Sequence, residues 1–262
     1  VNINSLNSDR YFVYLDQTLV EYFSGATKSI ANENTYDITN GNLLSSTNFG
    51  EVTSIDPLNF TDIGVDKKII TFNYATNGTG LYNISEETKT DQNGNVFSDT
   101  KHYYDNLSLG VLSKGLESKK EVLKTSNIYN SSAYKYDNFG NKISETDSLK
   151  NTTSYTYDSY NLYPVKIIDA LSHETNIYYD YALGKIKSVF NQNGFENQYI
   201  YDGIGRILMV KTPDVESATT SDPLVISKTF SYTDTPNNIS ISETDNFNSS
   251  LSKDIHQYFD GF

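Results

Sequence analysis

Residues 134–140 read YKYDNFG and residues 199–205 read YIYDGIG, and the recurrence of this pattern decides the fold. A Tyr-Asp pair occurs four times in this part of the chain, with successive aspartates 21, 22 and 22 residues apart. The four pairs are Tyr136-Asp137, Tyr157-Asp158, Tyr179-Asp180 and Tyr201-Asp202. The bulky residues two positions before the four tyrosines are Tyr134, Tyr155, Ile177 and Tyr199. Because positions i and i+2 of a strand share a face, each copy predicts a strand with two large side chains on one side.

The aspartate of each pair begins a predicted turn. Glycine follows it at Gly140, Gly184 and Gly205, and glycine readily adopts the left-handed backbone that tight turns need. The short aspartate side chain accepts hydrogen bonds from backbone N–H groups two or three residues later. The isoleucines that start the next apolar stretch are Ile143, Ile167, Ile186 and Ile207. Each copy therefore predicts a strand, a turn and a second strand.

A second set of polar turns falls midway between the Tyr-Asp pairs. These are residues 147–150, 169–172 and 191–194, which start 10, 11 and 11 residues after the preceding repeat aspartate. Half-repeats of this length fit successive antiparallel strands and leave no room for crossover helices. A single hairpin cannot bury its own apolar face, so the hairpins must lie side by side. We therefore predict an all-β fold, a continuous antiparallel sheet of repeated hairpins that forms a curved strip.

The rest of the chain carries weaker copies of the pattern. We predict degenerate repeats in 1–133, regular repeats in 134–210, and an acidic insertion with a further degenerate repeat in 211–262, all within one sheet. Residues 107–124 break the period and are predicted to hold a short helix or an open loop, and residues 211–228 an acidic surface insertion. The weaker copies of the Tyr-Asp motif are Tyr36-Asp37, Asp56, Tyr104-Asp105 and Phe259-Asp260-Gly261. A mid-repeat turn is predicted at Asp91-Gln-Asn93-Gly94, before a strand at 97–104.

Composition supports a β-protein and excludes several functions. The chain has 22 Tyr and 13 Phe but no Trp, and aromatic residues suit strands. Its 20 basic and 33 acidic residues give a net charge of −13, which would repel nucleic acid or an anionic membrane. Cysteine is absent, which excludes disulfides and thiolate metal sites. No apolar run approaches the ~20 residues of a membrane helix. We predict no cofactor and, since Val1 is not a start methionine, expect the chain to belong to a longer protein.

The pattern Tyr-x-Tyr-Asp-x-x-Gly, with a polar turn about ten residues later, resembles the signature of the YD-repeat (Rhs) family. Residues 157–173, 201–206 and 103–115 are similar to the repeat region of toxin-complex B components and related secreted virulence proteins. The resemblance implies a bacterial shell, secreted or at the cell surface, whose partners are the remainder of the same shell and an encapsulated C-terminal toxin polypeptide. The structural motif residues are Tyr134, Tyr136, Asp137, Gly140, Tyr155, Tyr157, Asp158, Tyr179, Asp180, Gly184, Tyr199, Tyr201, Asp202, Gly205 and Arg206.

The family's self-cleaving aspartyl element, of the type Asp-Pro-x-Gly, has no match in this sequence. Asp56-Pro57 is followed by Leu-Asn and Asp222-Pro223 by Leu-Val, so no protease residue is carried over. A calcium loop starting at Asp91 lacks the glycine and glutamate that an EF-hand requires. The three histidines have no Ser-His-Asp arrangement around them, and we predict turn or surface roles for His102, His173 and His256.

Three functions are compatible with the repeats: a structural wall without enzymatic activity, a cell-surface module that binds glycans or proteins, and a carbohydrate-active β-solenoid enzyme. Glycoside hydrolysis needs two carboxylates ~5–10 Å apart, but it needs no copy of them in every repeat. The strict period of 21–22 residues therefore favours turn bracing for the aspartates and cross-strand ladders for the tyrosines. The ladder predicts that Tyr157, Tyr179 and Tyr201 are more buried than Thr156, Tyr178 and Ile200.

Overall fold

The computed structural model describes residues 2–7, 10–24, 26–56, 59–213, 224–235, 238–248 and 251–259, and these residues form strands and turns without a helix. None of this described part therefore contains a helix long and apolar enough to cross a membrane. The chain divides into two compact units, one of Val1–Lys135 with Thr146–Leu149 and one of Tyr136–Glu145 with Lys150–Phe262. The all-β, antiparallel hairpin architecture expected from the repeats is confirmed.

The first unit contains a two-stranded sheet and a larger one. In the larger sheet the strands β3 to β11 follow one another in chain order, and β5 pairs with both β6 and β7. Its ladders are antiparallel, and a single parallel bridge joins Thr76 to Val111. The strands of this unit are β1 (Asn2–Asn7), β2 (Arg10–Tyr14), β3 (Gln17–Ser24), β4 (Ala26–Tyr36), β5 (Leu43–Asp56), β6 (Asn59–Asp62), β7 (Lys68–Thr76), β8 (Tyr82–Asp91), β9 (Val96–Tyr104), β10 (Glu117–Thr125) and β11 (Ile128–Tyr136).

The second unit holds the regular repeats. Its strands also pair in chain order, and the ladders from β13 to β21 are antiparallel. The strands are β12 (Lys142–Thr146), β13 (Thr152–Tyr157), β14 (Pro164–Ile168), β15 (Glu174–Asp180), β16 (Lys185–Phe190), β17 (Glu196–Tyr201), β18 (Ile207–Pro213), β19 (Leu224–Thr235), β20 (Asn238–Asn248) and β21 (Leu251–Phe259). Three of the predicted isoleucines lie at the first or second position of their strands, Ile143 in β12, Ile186 in β16 and Ile207 in β18, whereas Ile167 lies near the end of β14.

Little of either sheet is buried. Among the described residues the buried apolar side chains are Ala31, Val52, Ala75, Tyr104, Leu112 and Ile177. Three of these, Ala75, Tyr104 and Leu112, form one cluster in the first unit. The strands of the second unit are half-buried on both faces, so cross-strand ladders contribute more to their stability than a central core does.

The predicted turns near 138–140, 148–151, 192–194 and 203–205 are all confirmed. Residues 107–124 were predicted to hold a short helix or an open loop, and this was wrong for their second half. Glu117–Thr125 is a strand that pairs with β9 and β11. No helix forms in this stretch, and only its first part is an open loop. The predicted acidic insertion at 211–228 was too long, because residues 211–213 belong to β18 and residues 224–228 to β19. Residues 214–223 lie outside the described part, as do Asp260 and Gly261.

The predicted inside–outside contrast holds in two of the three repeats. Thr156 is exposed and Tyr157 half-buried, and Tyr178 is 56% exposed beside a half-buried Tyr179. In the third repeat Ile200 and Tyr201 are both half-buried. The contrast disappears there because Ile200 is itself apolar and both faces of this sheet carry side chains that shield it.

Candidate functional site: the Tyr-Asp hairpin turns

The repeat aspartates close a five-residue turn, which is clearest at Asp202. The Asp202 N–H donates to the Arg206 carbonyl at 2.9 Å, and the Gly205 N–H donates to the Asp202 carbonyl at 3.1 Å. The Asp202 Oδ1 accepts the N–H groups of Ile204 at 3.0 Å and Arg206 at 2.9 Å. Asp137 makes the same four bonds. The carboxylate thus satisfies two backbone donors that the turn leaves unpaired.

The mid-repeat turns have the same geometry as the Tyr-Asp turns. At Asp169 the Oδ1 atom accepts the N–H groups of Leu171 at 2.8 Å and His173 at 2.9 Å. At Asn191 the side-chain carbonyl replaces the carboxylate and accepts from Asn193 and Phe195. The sequence suggested two kinds of turn, and the structure shows one turn used at both ends of the hairpins.

The fourth position of this turn has a left-handed backbone. Glycine occupies it at Gly140 (φ 89°) and Gly205 (φ 84°). Other residues are held in the same conformation at Lys150 (φ 71°), Asn161 (φ 57°) and Ser172 (φ 67°). A left-handed backbone is uncommon for a residue with a Cβ atom, so the surrounding hydrogen bonds must fix it.

The fifth position supplies a second partner for the carboxylate, which sequence reasoning missed except at Arg206. The Arg206 Nε donates to Asp202 Oδ2 at 2.6 Å, and Asn141 Nδ2 donates to Asp137 Oδ2 at 3.1 Å. In the mid-turns, Asn95 and His173 contact the second oxygen of their aspartates in the same way. A polar donor four residues after Asp91, Asp137, Asp169 and Asp202 is therefore the sequence signal that would have found this contact.

Two of the Tyr-Asp turns depart from this scheme. Asp180 lies in a turn one residue longer, which runs to Lys185 and has left-handed Gly184 at its fifth position. The Asp180 Oδ1 accepts the N–H groups of Ala182 at 3.0 Å and Leu183 at 3.2 Å. Asp158 is almost fully buried, and its second oxygen accepts the hydroxyl of Tyr181 from the next repeat at 2.8 Å. Every tested repeat aspartate thus lies within hydrogen-bonding distance of a backbone N–H group, as predicted.

We expect Asp180→Asn to be well tolerated, because the amide oxygen still accepts the two N–H groups and Asn191 already fills the equivalent position in another turn. Asp180→Ala should lower the free energy of unfolding by about 1 kcal/mol, as the loss of a comparable side-chain cap does. Thermal melts of the two variants beside the wild-type chain provide the measurement. Equal losses in both variants would contradict the bracing role.

The repeat tyrosines connect each hairpin to the one before it. The Tyr179 hydroxyl donates to the Pro164 carbonyl at 3.1 Å, and the Tyr201 hydroxyl donates to the Ile186 carbonyl at 2.7 Å. Tyr157 reaches the Lys142 carbonyl at a longer 3.4 Å. In each case the acceptor lies 15 residues earlier, at the start of the second strand of the preceding repeat. These bonds fix the position of one hairpin against the next.

Tyr232 is a further repeat tyrosine that the sequence analysis did not identify. Its hydroxyl donates to the Ile207 carbonyl at 2.8 Å, 25 residues earlier. Residues 214–223, which lie outside the described part, stand between the two groups, and the offset exceeds the 15 residues of the other repeats. The Arg206 guanidinium, already bonded to Asp202, also lies 4.3 Å from the centre of the Tyr232 ring. The signal was missed because no aspartate follows Tyr232 directly.

The second bulky residue of each repeat lies on the same strand but makes different contacts. Tyr155 donates to Glu145 Oε1 at 2.9 Å, with the Lys142 ammonium over its ring. Ile177 is buried, and Tyr199 pairs across the sheet with Val210. Tyr134 lies within β11, and Tyr136 is the last residue of that strand, directly before the Asp137 turn. The sequence-predicted motif residues are thus spread along the hairpins and do not converge on one pocket.

Electrostatics in the turns favour ionised aspartates and neutral tyrosines. Burial alone would raise the pKa of Asp202, but the hydrogen bonds from Arg206 and the Ile204 N–H outweigh it and lower that pKa below its usual value. Burial raises the pKa of Tyr179 and Tyr201. At neutral pH each group therefore holds the protonation state that its hydrogen bonds require.

These raised tyrosine pKa values predict that the fold loses stability in alkali. The pKa of Tyr103 is raised to about 12, chiefly by burial and then by its bond to Glu121. Unfolded tyrosines ionise near pH ~10, so the folded chain retains protons that the unfolded chain loses above that pH. We expect urea midpoints to be constant from neutral pH to about 10 and to fall between about 10 and 12. A midpoint that stays flat to pH ~11.5 while tyrosinate absorbance rises would contradict this.

The most enzyme-like cluster lies in the first unit. The Tyr129 hydroxyl donates to Asp99 Oδ2 at 2.5 Å, and Lys101 Nζ lies 3.2 Å from that hydroxyl and 3.6 Å from Glu86. The bond to Asp99 is the main cause that raises the pKa of Tyr129. The bond to Tyr129 is the main cause that raises the pKa of Lys101. Both shifts move these groups away from the near-neutral pKa that general acid–base catalysis favours.

The histidines do not gather into a site. His102 Nδ1 lies 2.5 Å from Glu117 Oε1, and His173 Nδ1 lies 2.9 Å from Asp169 Oδ2 in a turn. His256 is exposed on β21. Within the described ranges, no three His, Asp or Glu side chains are grouped so that they could hold a metal ion.

The sequence matches no known family model, and no curated protein matches it. Among solved structures, the crystal structure of TcdB2-TccC3-Cdc42 matches with a TM-score of 0.51 at 14% identity over 91% of this chain. The chain shares the fold of the matched part of that structure. It spans 14% of that matched chain, so the activities and partners of the whole assembly do not follow from the match.

Two further structures match this chain with lower TM-scores. The crystal structure of TcdB2-TccC3 matches at 13% identity with a TM-score of 0.43, over 86% of this chain and 15% of that one. The Tc holotoxin pore of Photorhabdus luminescens matches at 13% identity with a TM-score of 0.41, over 86% and 14%. The likeness of fold therefore rests on the first match, and the resemblance expected from the repeats is confirmed at the level of the fold.

Proposed function

We propose that this chain is a structural segment of a secreted bacterial shell that encloses a toxin polypeptide. The observation that carries the proposal is the fold that 91% of the chain shares with the structure of TcdB2-TccC3-Cdc42. The remainder of the same shell and the enclosed toxin are the partners. The role is passive, and the chain has no enzymatic activity of its own.

The construction of the hairpins supports a wall. Both faces of the second unit are half-buried and the buried apolar residues are few, so the sheet does not depend on a globular core. Each hairpin instead carries its own turn brace and a tyrosine bond to its predecessor. Such nearest-neighbour stabilisation allows a sheet to be extended repeat by repeat, as a long wall requires.

Limited proteolysis of the full-length protein that contains this chain tests the wall. The enclosed polypeptide should survive protease concentrations that digest the same polypeptide when it is produced alone. A variant that weakens the wall, such as Tyr104→Ala, should make the enclosed polypeptide sensitive. Digestion at equal rates with and without the intact wall would refute the proposal.

A glycan-binding module is the second candidate, and exposed tyrosines favour it. Tyr160 is 70% exposed and Tyr181 is 50% exposed, with ring centres 5.8 Å apart at the Tyr-Asp end of the second unit. Aromatic rings in such positions can stack on sugars. Binding to a glycan array that disappears in Tyr160→Ala, while Tyr22→Ala keeps it, would support this candidate; an empty array leaves the wall as the proposed function.

A further inference from the structure

One carboxylate, that of Asp105, binds the far end of the loop between β9 and β10, residues 106–116, which we call the strap. The Asp105 Oδ2 atom accepts the N–H groups of Ser113 at 2.7 Å, Lys114 at 2.8 Å and Gly115 at 2.9 Å. The Oδ1 atom accepts the Leu116 N–H at 3.1 Å. Successive N–H groups that converge on one anion form a concave anion-binding nest. The far end of the strap is therefore a carboxylate receptor occupied by the chain's own side chain.

The strap covers the edge of β7. The Thr76 N–H donates to the Gly110 carbonyl at 3.2 Å, and the Leu112 N–H donates to the Thr76 carbonyl at 3.3 Å. The pairing of β7 with β5 extends only over residues 68–71. The strap pairs with the same strand further along, at Thr76. Leu112, 2% exposed, packs against Ala75 and Tyr104. Covering an edge in this way prevents it from pairing with another strand.

The strap also has defined joints at its two ends. Asp105 (φ 54°) and Asn106 (φ 59°) are both left-handed where it leaves β9. Gly115 (φ 84°) is left-handed where it enters the nest, with the Asn83 side chain against it. Left-handed backbone in residues with a Cβ atom costs free energy and persists only when surrounding bonds hold it. The bonds that hold these joints include the four on Asp105.

We propose that the strap is a hinged cover latched by Asp105. In the closed state the carboxylate fills the nest of residues 113–116. When it leaves, the strap opens while β7, β8 and β9 stay paired, and the edge of β7 at Thr76 becomes accessible together with Ala75 and Tyr104. The device is separate from the proposed wall function, because it concerns a local equilibrium within the first unit.

Hydrogen exchange of the whole 262-residue chain tests the latch. In the wild-type chain, the amides of residues 113–116 should exchange through a local opening whose rate changes little at low denaturant concentration. In Asp105→Ala these amides should exchange about tenfold faster or more, while those of β8 and β9 keep their protection. Asp105→Asn retains one acceptor oxygen and should fall between the two. Asp91→Ala, which removes a turn-bracing aspartate of the same unit, is the matched control and should leave the strap amides unchanged.

Rescue by an external carboxylate tests the nest itself. In Asp105→Ala, about 100 mM acetate should restore part of the protection of residues 113–116, whereas chloride at equal ionic strength should not. Equal effects of acetate and chloride on the protection of these amides would contradict the proposal that the nest binds a carboxylate. Strap amides that exchange only together with those of β8 and β9, in the wild-type chain or in Asp105→Asn, would overturn the hinge. The wild-type measurement decides the matter even if Asp105→Ala does not fold.

Discussion

Tyr104→Ala is expected to lower the free energy of unfolding of the first unit by roughly 3–4 kcal/mol, the usual cost of deleting a buried aromatic side chain. Tyr104 is 8% exposed and belongs to the one apolar cluster of the described residues, with Ala75 and Leu112. Its hydroxyl donates to the Ile84 carbonyl at 2.6 Å. The variant therefore removes the packing beneath the strap and the bond to the neighbouring strand at once.

Urea unfolding monitored within the first unit measures this loss of stability. Two further variants separate the contribution of the buried ring from that of the hydroxyl and serve as controls. Tyr104→Phe keeps the ring and should cost about 1 kcal/mol, the net value of one hydrogen bond. Tyr22→Ala removes a tyrosine of the same unit that is 51% exposed and should change stability by less than ~0.5 kcal/mol. The packing argument fails if Tyr104→Ala costs no more than Tyr22→Ala.

Lys101→Met is expected to destabilise the first unit by roughly 2–3 kcal/mol, because it leaves the buried Asp99 and the half-buried Glu86 without their cation. The Lys101 ammonium lies 3.5 Å from Asp99 and 3.6 Å from Glu86, and the Asp99 side chain is only 8% exposed. Methionine keeps the length of the side chain but not its charge. The estimate lies below that for a fully buried pair, because the Lys101 side chain is 23% exposed and solvent screens it.

A double-mutant cycle isolates the charge pair. Asp99→Asn combined with Lys101→Met should cost less than the sum of the two single changes, by about 1–2 kcal/mol, since the second change removes the charge that the first left unpaired. Lys89→Met is the matched control, because its contact with Glu87 involves side chains that are 37% and 33% exposed, and it should cost under ~1 kcal/mol. Strict additivity in the cycle would show that Lys101 acts through packing alone.

The regular repeats could be predicted closely from the sequence, but the first unit only in part, with the turn at 91–94 and the strand at 97–104 confirmed. From residue 137 onward, an aspartate or asparagine recurring every 10 or 11 residues placed every turn that was tested. In the first unit, Asp105 has the same Tyr-Asp signature, yet its carboxylate serves the strap rather than a five-residue turn. The charged residues 117–121 suggested a helix or a loop, and pairing with β9 and β11 made them a strand. Tertiary pairing overrides a weak local preference.

The sequence by itself determined the all-β class, the hairpin period and the positions of the braced turns, because those depend on residues within five positions of one another. The tertiary structure alone decided which distant groups meet. Tyr74 reaches the Leu43 carbonyl 31 residues earlier, and Tyr232 reaches Ile207 across an insertion. Such contacts depend on the register between strands, and a shift of one residue would move every side chain of a strand to the other face. Register follows from the summed pairing of whole strands, which no short motif in the chain encodes.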